Sequence, residues 1–162
     1  MQVYTTYYDS PLGQLELKAT GEYVVSVLFR EGRIEVEDNH EMLQRCIEQL
    51  NEYFSGKRQV FDFPMQQSGS AFQRKVWQLL EAIPYGKTIS YTELTRQFGD
   101  PKAIRAVASA NGKNNLAIVV PCHRVIGSNA TLTGYAGGLW RKQWLLDHER
   151  RCAHGVEQAS LF

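Results

Sequence analysis

The first thirty residues contain two runs rich in β-branched and aromatic side chains, residues 2–8 and 14–30. The turn sequence Ser10-Pro11-Leu12-Gly13 separates the runs, and this pattern predicts strands of a small antiparallel sheet. Residues 40–54 change to a helical period, and this helix is predicted to end at Gly56. Its apolar stripe consists of Met42, Leu43, Cys46, Ile47, Leu50 and Phe54. Because Cys46 lies on the stripe, we interpret it as a core residue and not as a reactive thiol.

Residues 56–69 contain Gly56, Pro64, Ser68 and Gly69, a composition typical of a linker. We therefore predict an N-terminal domain over residues 1–69, a second domain over residues 70–154 and a tail over residues 155–162. The expected fold class is α+β, with a small antiparallel sheet domain followed by a mostly helical domain.

Three helices are predicted early in the second half. Ser70 with Gln73 forms a capping-box pattern before a helix that Pro84 and Gly86 close, and Ser90 with Glu93 forms another. The short helix after Ser90 ends at Gly99. Asp100 caps the third helix, which has Pro101 at its first position and extends to about Asn111. Two short helices around a Gly-Asp turn predict a helix-turn-helix.

The third helix is unusual because small side chains cover much of its surface. Arg105 is a long cation on this low surface, whose small residues are Ala103, Ala106, Ala108, Ser109 and Ala110. The pattern on its own favours close packing against another helix. A close approach to a ligand is the alternative.

The apolar run Leu116–Val120 predicts a buried strand that ends at Pro121 and delivers Cys122-His123-Arg124-Val125. A cysteine beside a histidine and an arginine suits a reactive thiol, because cations and hydrogen bonds lower the pKa of a thiol. Glu149, on a helix that begins near Leu139, is a candidate to orient the histidine. The alternative is an inert buried cysteine.

Composition narrows the setting. The chain has 162 residues, 43% hydrophobic and 22% charged, which is ordinary for a globular protein. No signal peptide or membrane-spanning run is expected. The three cysteines have no CxxC spacing and the four histidines no zinc-finger spacing, so we expect neither disulfides nor structural zinc, in a reducing, cytoplasmic setting.

Charge is divided unequally along the chain. Residues 1–70 contain six basic and eleven acidic side chains, whereas residues 71–162 contain twelve basic and six acidic ones. A basic half favours binding to a polyanion such as a nucleic acid, although chance segregation of solvated charges gives the same pattern.

The stretch from Phe72 to Glu149 resembles the O6-alkylguanine-DNA alkyltransferases, also called methylated-DNA–protein-cysteine methyltransferases. The matching pieces keep their order over 78 positions. They are Phe72-Gln73-Arg74-Lys75-Val76-Trp77, Gly86-Lys87-Thr88-Ile89-Ser90-Tyr91, Arg105-Ala106-Val107, Pro121-Cys122-His123-Arg124-Val125, Gly134-Tyr135-Ala136-Gly137-Gly138 and Lys142 through Leu145-Leu146 to Glu149. The first 70 residues match loosely, as expected for the family's ribonuclease-H-like N-terminal domain.

The resemblance implies a suicide repair enzyme in which Cys122 accepts an alkyl group from O6 of guanine and keeps it, without a cofactor or a metal. His123 would take the thiol proton through a water, Glu149 would orient His123, and Tyr91 would contact the base and supply a proton.

The resemblance also implies a substrate pocket. The backbone N–H of Ala136 would face O6, and the carbonyls of Cys122 and Val125 would accept from the exocyclic amine of guanine. Tyr135 would wall the pocket, and Lys142 would lie near the cysteine loop.

By the same resemblance, the third helix would enter the minor groove of double-stranded DNA. Ala103, Ala106 and Ser90 would lie close to the DNA, and Arg105 would fill the gap left by the extruded base. Asn114 would join this helix to the cysteine segment. A monomer is expected.

Three positions depart from the family pattern. Asn115 replaces a usual proline, which is expected to loosen the turn at Asn114. Ala130 replaces a common glycine, and Ala136 lacks the hydroxyl of relatives with serine. The preferred alkyl group and activity on O4-alkylthymine stay open.

Other functions remain open at this level. The chain could be a DNA-binding alkylation sensor, a non-enzymatic damage-recognition relative or a cysteine hydrolase. Gln158–Phe162 resembles peptides that dock on the bacterial sliding clamp, and the alternative is a frayed or self-packed tail.

Overall fold

The computed structural model describes residues 2–33, 37–127 and 132–154, which form two compact units. The first unit contains the described residues up to Ser68 together with Asn115–Val119. The second contains Gly69–Asn114 and the described residues from Val120 onward. Every residue predicted for the site belongs to the second unit.

The first unit contains an antiparallel sheet of three strands in sequence order: β1 (Tyr4–Ser10), β2 (Gly13–Ala19) and β3 (Val24–Phe29). Ser10 pairs with Gly13 across the first turn, where Gly13 has a φ of 114°. That backbone conformation favours glycine. The predicted antiparallel sheet is therefore confirmed.

Helix α1 (Glu41–Phe54) covers this sheet and begins at His40, whose Nδ1 accepts from the backbone N–H of Met42 at 3.1 Å. Leu43, Cys46 and Leu50 on its apolar stripe are fully buried. Burial raises the pKa of the Cys46 thiol to about 12. The interpretation of Cys46 as a core residue is therefore confirmed.

In the second unit, α2 (Ala71–Glu81) begins with the predicted capping box. Ser70 Oγ accepts from the Gln73 N–H at 3.1 Å, and Gln73 Oε1 accepts from the Ser70 N–H at 3.0 Å. α3 (Tyr91–Phe98) begins at Ser90, whose Oγ accepts from the Glu93 N–H at 3.0 Å. The Glu93 carboxylate instead accepts from the side chains of two residues farther along α3, Arg96 and Gln97.

The third predicted helix is divided in two. Pro101–Ala103 forms a single 3₁₀ turn, capped by Asp100, and α4 continues from Ile104 to Gly112. α4 packs on α2, where the Trp77 Nε1–H donates to the Ala110 carbonyl at 2.9 Å. The order α3, Gly99, α4 gives the predicted helix-turn-helix.

The strand predicted over Leu116–Val120 is wrong. Leu116 forms a single parallel bridge with Val27 of β3, and the chain then turns, with Ile118 at a φ of 73°. Apolar periodicity does not distinguish a buried turn from a buried strand, and all five residues are buried. The pairing also places Asn115–Val119 in the first unit, whereas the predicted division put them in the second.

Two hydrogen bonds hold the backbone of Asn115, and the expected loosening of the turn at Asn114 stays a prediction. The Asn115 backbone N–H donates to Gln67 Oε1 at 2.8 Å, and its carbonyl accepts from the Val27 N–H at 2.8 Å. A proline has no N–H, so the hydrogen bond to Gln67 could not form with the proline that is usual at this position. The departure at Ala130 lies outside the described residues.

Two further elements complete the second unit. Strand β4 (Ile89–Ser90) pairs in parallel with β5 (Val125–Ile126), which joins the segment after Cys122 to the start of α3. α5 extends from Leu139 to His154. Among the described residues, no helix combines the length and the apolar character needed to cross a membrane.

We predict that Gly99→Ala destabilises the protein by about 1–2 kcal/mol, because Gly99 ends α3 at a φ of 105°. No atom lies within 4 Å of a Cβ built there, so the cost is one of backbone conformation. Gly112→Ala is the matched control, because that site is equally open and has no positive φ. The control is expected to gain up to about 1 kcal/mol. Equal urea midpoints for the two variants would contradict this account of the turn.

Candidate active site

Cys122 lies on a 3₁₀ turn, Cys122–Arg124, between Pro121 and β5. Its backbone N–H donates to the Val120 carbonyl at 2.8 Å. The same carbonyl accepts from Asn114 Nδ2 at 2.8 Å, and both residues are buried. Asn114, just after α4, therefore anchors the cysteine segment.

The Cys122 thiol is buried, and this burial raises its pKa. A hydrogen bond with Asn114 and the charge of Lys142 act in the opposite direction without reversing the shift. The thiol is therefore protonated at neutral pH, whereas the sequence suggested a lowered pKa. Nucleophilic attack from this site needs a base that removes the thiol proton.

His123 and Glu149 meet in the interior, where His123 Nε2 lies 2.7 Å from Glu149 Oε2. Both side chains are almost completely buried. The other ring nitrogen, Nδ1, is also buried, and it has no hydrogen-bond partner among the residues that the structure describes. An ionised carboxylate only accepts hydrogen bonds, so Nε2 carries a proton, and in the neutral imidazole Nδ1 then has the lone pair.

Arg124 binds both oxygens of the same carboxylate. Its Nε donates to Glu149 Oε1 at 2.8 Å, and its Nη2 donates to Glu149 Oε2 at 3.0 Å. Burial by itself would raise the pKa of Glu149, but its interactions with His123 and Arg124 bring it well below its usual range. Glu149 is therefore ionised.

The position of Arg124 differs from the sequence-based expectation of a cation acting on the thiol. Its third donor, Nη1, reaches the Ile83 carbonyl at 2.7 Å, and its guanidinium lies 5.6 Å from the centre of the Tyr85 ring. Because Glu149 is 25 positions away in the chain, no local pattern reveals this pairing.

Lys142 is fully buried on α5. Its Nζ donates to the carbonyls of Thr133 at 2.6 Å and Gly134 at 3.2 Å, and lies 5.9 Å from the centre of the Tyr91 ring. Burial lowers the pKa of Lys142 to about 8, although the neighbouring Cys122 favours its charged form. The Lys142 ammonium group and the Cys122 thiol therefore affect each other's pKa.

Two tyrosines lie near these groups. Tyr91 begins α3, and burial raises its pKa, so that its hydroxyl is a proton donor at neutral pH. A Cβ built on Gly134 would lie 3.6 Å from that hydroxyl. The Tyr135 hydroxyl is buried without a partner in the described part of the chain, and burial raises the pKa of Tyr135 far above its usual value.

The remaining predicted pocket residues are Val125 and Ala136. Val125 is fully buried in β5 opposite Ile89, and Ala136 is exposed directly after Tyr135. The sequence missed the carbonyls of Thr133 and Gly134 as partners of Lys142, because a backbone acceptor has no residue-type signal.

The exposure of the small residues on α4 distinguishes close packing against a helix from close approach to a ligand. Ala110 is buried under Trp77, whereas Arg105, Ala106 and Ser109 are exposed and Ala103 is half-buried. Close packing therefore accounts for one side of the helix only. Ser90, half-buried, uses its hydroxyl to cap α3.

No cluster of three or more His, Cys, Asp or Glu side chains suited to a metal ion occurs in residues 2–33, 37–127 and 132–154.

Known proteins match the chain over almost its whole length. The family description "6-O-methylguanine DNA methyltransferase, ribonuclease-like domain" matches residues 3–67, and "6-O-methylguanine DNA methyltransferase, DNA binding domain" matches residues 71–151. A methylated-DNA–protein-cysteine methyltransferase of Mycolicibacterium paratuberculosis is 46% identical over 159 residues, with 95% of each chain covered. The constitutive enzyme of that name from Bacillus subtilis is 44% identical over 160 residues, covering 93% of this chain and 96% of the relative.

Solved structures agree with these relatives. The Mycobacterium tuberculosis protein OGT in complex with DNA superposes with a TM-score of 0.84 at 42% identity, covering 94% of each chain. Together with the sequence matches over both units, this similarity shows that the chain belongs to the methylated-DNA–protein-cysteine methyltransferase family.

Proposed function

We propose that this protein repairs alkylated DNA by transferring an alkyl group from O6 of guanine to its own Cys122. The single observation that carries the proposal is the buried Cys122 thiol followed by His123, whose ring is fixed by an ionised Glu149. The family to which the chain belongs supports the same chemistry. The reaction is an in-line displacement at the alkyl carbon, with guanine as the leaving group.

The proton of the thiol passes to His123 Nδ1 through one water. This path accounts for the buried Nδ1 without a partner in the described residues. As the imidazole gains the proton, Glu149 stabilises the resulting cation, and Arg124 keeps the carboxylate in place. Sulfur then attacks the alkyl carbon, and the C–O6 bond breaks.

The electron pair of the broken bond leaves with guanine, which becomes a better leaving group when a hydrogen bond offsets its negative charge. Tyr91 donates that hydrogen bond, and the Lys142 ammonium adds positive charge nearby. The Ala136 N–H faces O6, and the carbonyls of Cys122 and Val125 accept from the exocyclic amine. This pattern selects guanine over adenine, and Tyr135 walls the pocket.

The target atom is inaccessible inside a duplex, so the nucleotide is flipped out of the stack. α4 approaches the minor groove with its exposed small side chains, Ala106 among them, while Ala103 and Ser90 lie at the margin of the contact. Arg105 fills the space that the base vacates. Minor-groove contacts distinguish few sequences, which suits a protein that inspects any site.

The product is a thioether, which is not readily reversed, so each molecule acts once and needs no cofactor. We propose that the protein acts as a monomer in the cytoplasm. Docking of Gln158–Phe162 on the sliding clamp stays a prediction, because these residues lie outside the described part of the chain.

The first prediction from the proposed function concerns stoichiometry. O6-benzylguanine should transfer its benzyl group to Cys122 once per protein, and intact-mass spectrometry with peptide mapping should locate a single adduct there. Cys122→Ser should remain unmodified. Multiple turnovers, or an adduct that persists in Cys122→Ser, would favour the hydrolase alternative or a different nucleophile.

The second prediction concerns base flipping. Arg105→Ala should slow repair of O6-methylguanine in duplex DNA by about 10-fold or more, because Arg105 no longer offsets the cost of unstacking the base. Its reaction with free O6-benzylguanine should be unchanged. Arg150→Ala, which removes an exposed arginine on α5, is the matched control and should leave both rates unchanged. Equal losses on the two substrates for Arg105→Ala would count against the flipping role.

The third prediction concerns Glu149. Glu149→Gln keeps the shape of the side chain but removes the charge that faces His123 and Arg124. Transfer should slow by about 100-fold or more, because the base loses its orientation. The variant should also lose about 3–5 kcal/mol of stability, because a buried guanidinium loses its counter-charge. Asp147→Asn, at an exposed ion pair on the same helix, should change stability by no more than about 0.5 kcal/mol. A wild-type rate in Glu149→Gln would exclude the relay.

A further inference from the structure

The Tyr91 hydroxyl has a neighbour on α4 that the proposed mechanism does not use. Asn111 Nδ2 lies 3.4 Å from Tyr91 Oη. Asn111 belongs to the last turn of α4, and only 3% of its surface is exposed. The contact therefore joins the helix that carries Arg105 to the first residue of α3.

The other half of the Asn111 amide has no partner in the described part of the chain. Its Oδ1 is buried, and no donor lies within hydrogen-bond distance among the residues that the structure describes. Leaving a buried carbonyl unpaired is costly, and leucine, with nearly the same shape, would avoid that cost. A buried polar group in this state is typical of a functional site and not of a position that serves packing alone.

The direction of the hydrogen bond determines what Tyr91 can do. An amide nitrogen only donates, so the Tyr91 oxygen accepts from Asn111. The proton of the phenol is then directed away from Asn111, on the side where the Thr133 side chain is its second hydrogen-bond neighbour. Burial raises the pKa of Tyr91, and the Asn111 hydrogen bond opposes that shift by favouring negative charge on the oxygen. Both effects suit a hydroxyl that remains protonated and donates strongly.

We propose that Asn111 is a positioning residue that directs the Tyr91 hydroxyl proton toward the departing guanine. The inference rests on the proposed function and adds a residue to it. As the S–C bond forms and the C–O6 bond breaks, the thiol proton has gone to His123 and the electron pair goes to the purine. The Tyr91 hydroxyl donates a hydrogen bond to this anion and keeps its proton. Because Asn111 is on α4, the helix proposed to bind DNA also orients the donor to the leaving group.

A double-mutant cycle tests this role. The rate of single-turnover benzyl transfer from free O6-benzylguanine is measured by intact mass, since the free base separates the chemistry from DNA binding by α4. Asn111→Leu should slow transfer by about 3- to 10-fold, the value of one neutral hydrogen bond. Tyr91→Phe should slow it by about 10-fold or more. The double variant should be no slower than Tyr91→Phe alone, because the two side chains act through one hydroxyl.

Two further variants separate orientation from packing. Asn111→Asp keeps the shape but, once its carboxylate is ionised, offers only acceptors to Tyr91, so the two variants are compared at raised pH, where it should be slower than Asn111→Leu. Thr95→Val is the matched control. It removes a buried hydroxyl that donates to the backbone carbonyl of Tyr91 at 2.7 Å and leaves the phenol alone. It should transfer at the wild-type rate. Circular dichroism establishes that each variant is folded, and Asn111→Ser replaces the leucine variant in the cycle if leucine prevents folding.

The outcomes are distinct. If the Asn111→Leu loss persists in full in the Tyr91→Phe background, Asn111 acts through packing and the inference is wrong. A wild-type rate for Asn111→Leu, or a rate for Asn111→Asp above that of Asn111→Leu, would also overturn it. If the wild-type protein transfers no benzyl group at all, the proposed function itself fails.

Discussion

An ionised carboxylate in the protein interior is the constraint on which the site depends. Glu149 is almost completely buried, and an isolated charge there would be very costly. The structure offsets this cost with His123 on one side and two donors of Arg124 on the other. These contacts bring together α5, the turn that begins at Cys122 and, through the Ile83 carbonyl, the segment after α2. The Glu149 carboxylate therefore both joins these segments and faces the histidine that is proposed as the base.

The burial of the Cys122 thiol explains why the site needs a base. A buried Cys122 has a raised pKa and is unreactive until its proton is removed. An exposed, permanently ionised thiolate would react with any electrophile in solution. In the proposed mechanism, the base is the neighbouring imidazole, whose Nδ1 is also buried and has no partner among the described residues, so the thiolate forms only in the enclosed site. A thiol that is unreactive before the substrate binds suits a protein whose acceptor cysteine reacts only once.

The elements that the sequence predicts correctly are those whose signals are local. The Ser70 and Ser90 caps, the Gly99 terminator and the buried Cys46 each depend on residues within one or two turns of chain, and the structure confirms them. The apolar run at Leu116–Val120 was misread as a strand, because burial and strand geometry give the same pattern.

The sequence does not predict the long-range contacts of the site. The pairing of Arg124 with Glu149 and the contact of Asn111 with Tyr91 join positions 25 and 20 residues apart. Nothing in the spacing of these residues indicates them. The histidine that follows Cys122 is recognisable in the sequence as a candidate base, but the nitrogen proposed to act as the base follows only from the position of the carboxylate.

The tautomer of His123 tests the central claim most directly. Long-range ¹H–¹⁵N correlation spectra of the ¹⁵N-histidine-labelled protein at neutral pH distinguish a protonated ring nitrogen from one with a lone pair, and comparison with His123→Gln assigns the signals. The account predicts a proton on Nε2, facing Glu149, and a lone pair on Nδ1. A proton on Nδ1 in the unreacted protein would contradict the account, because His123 could not then accept the proton of the Cys122 thiol.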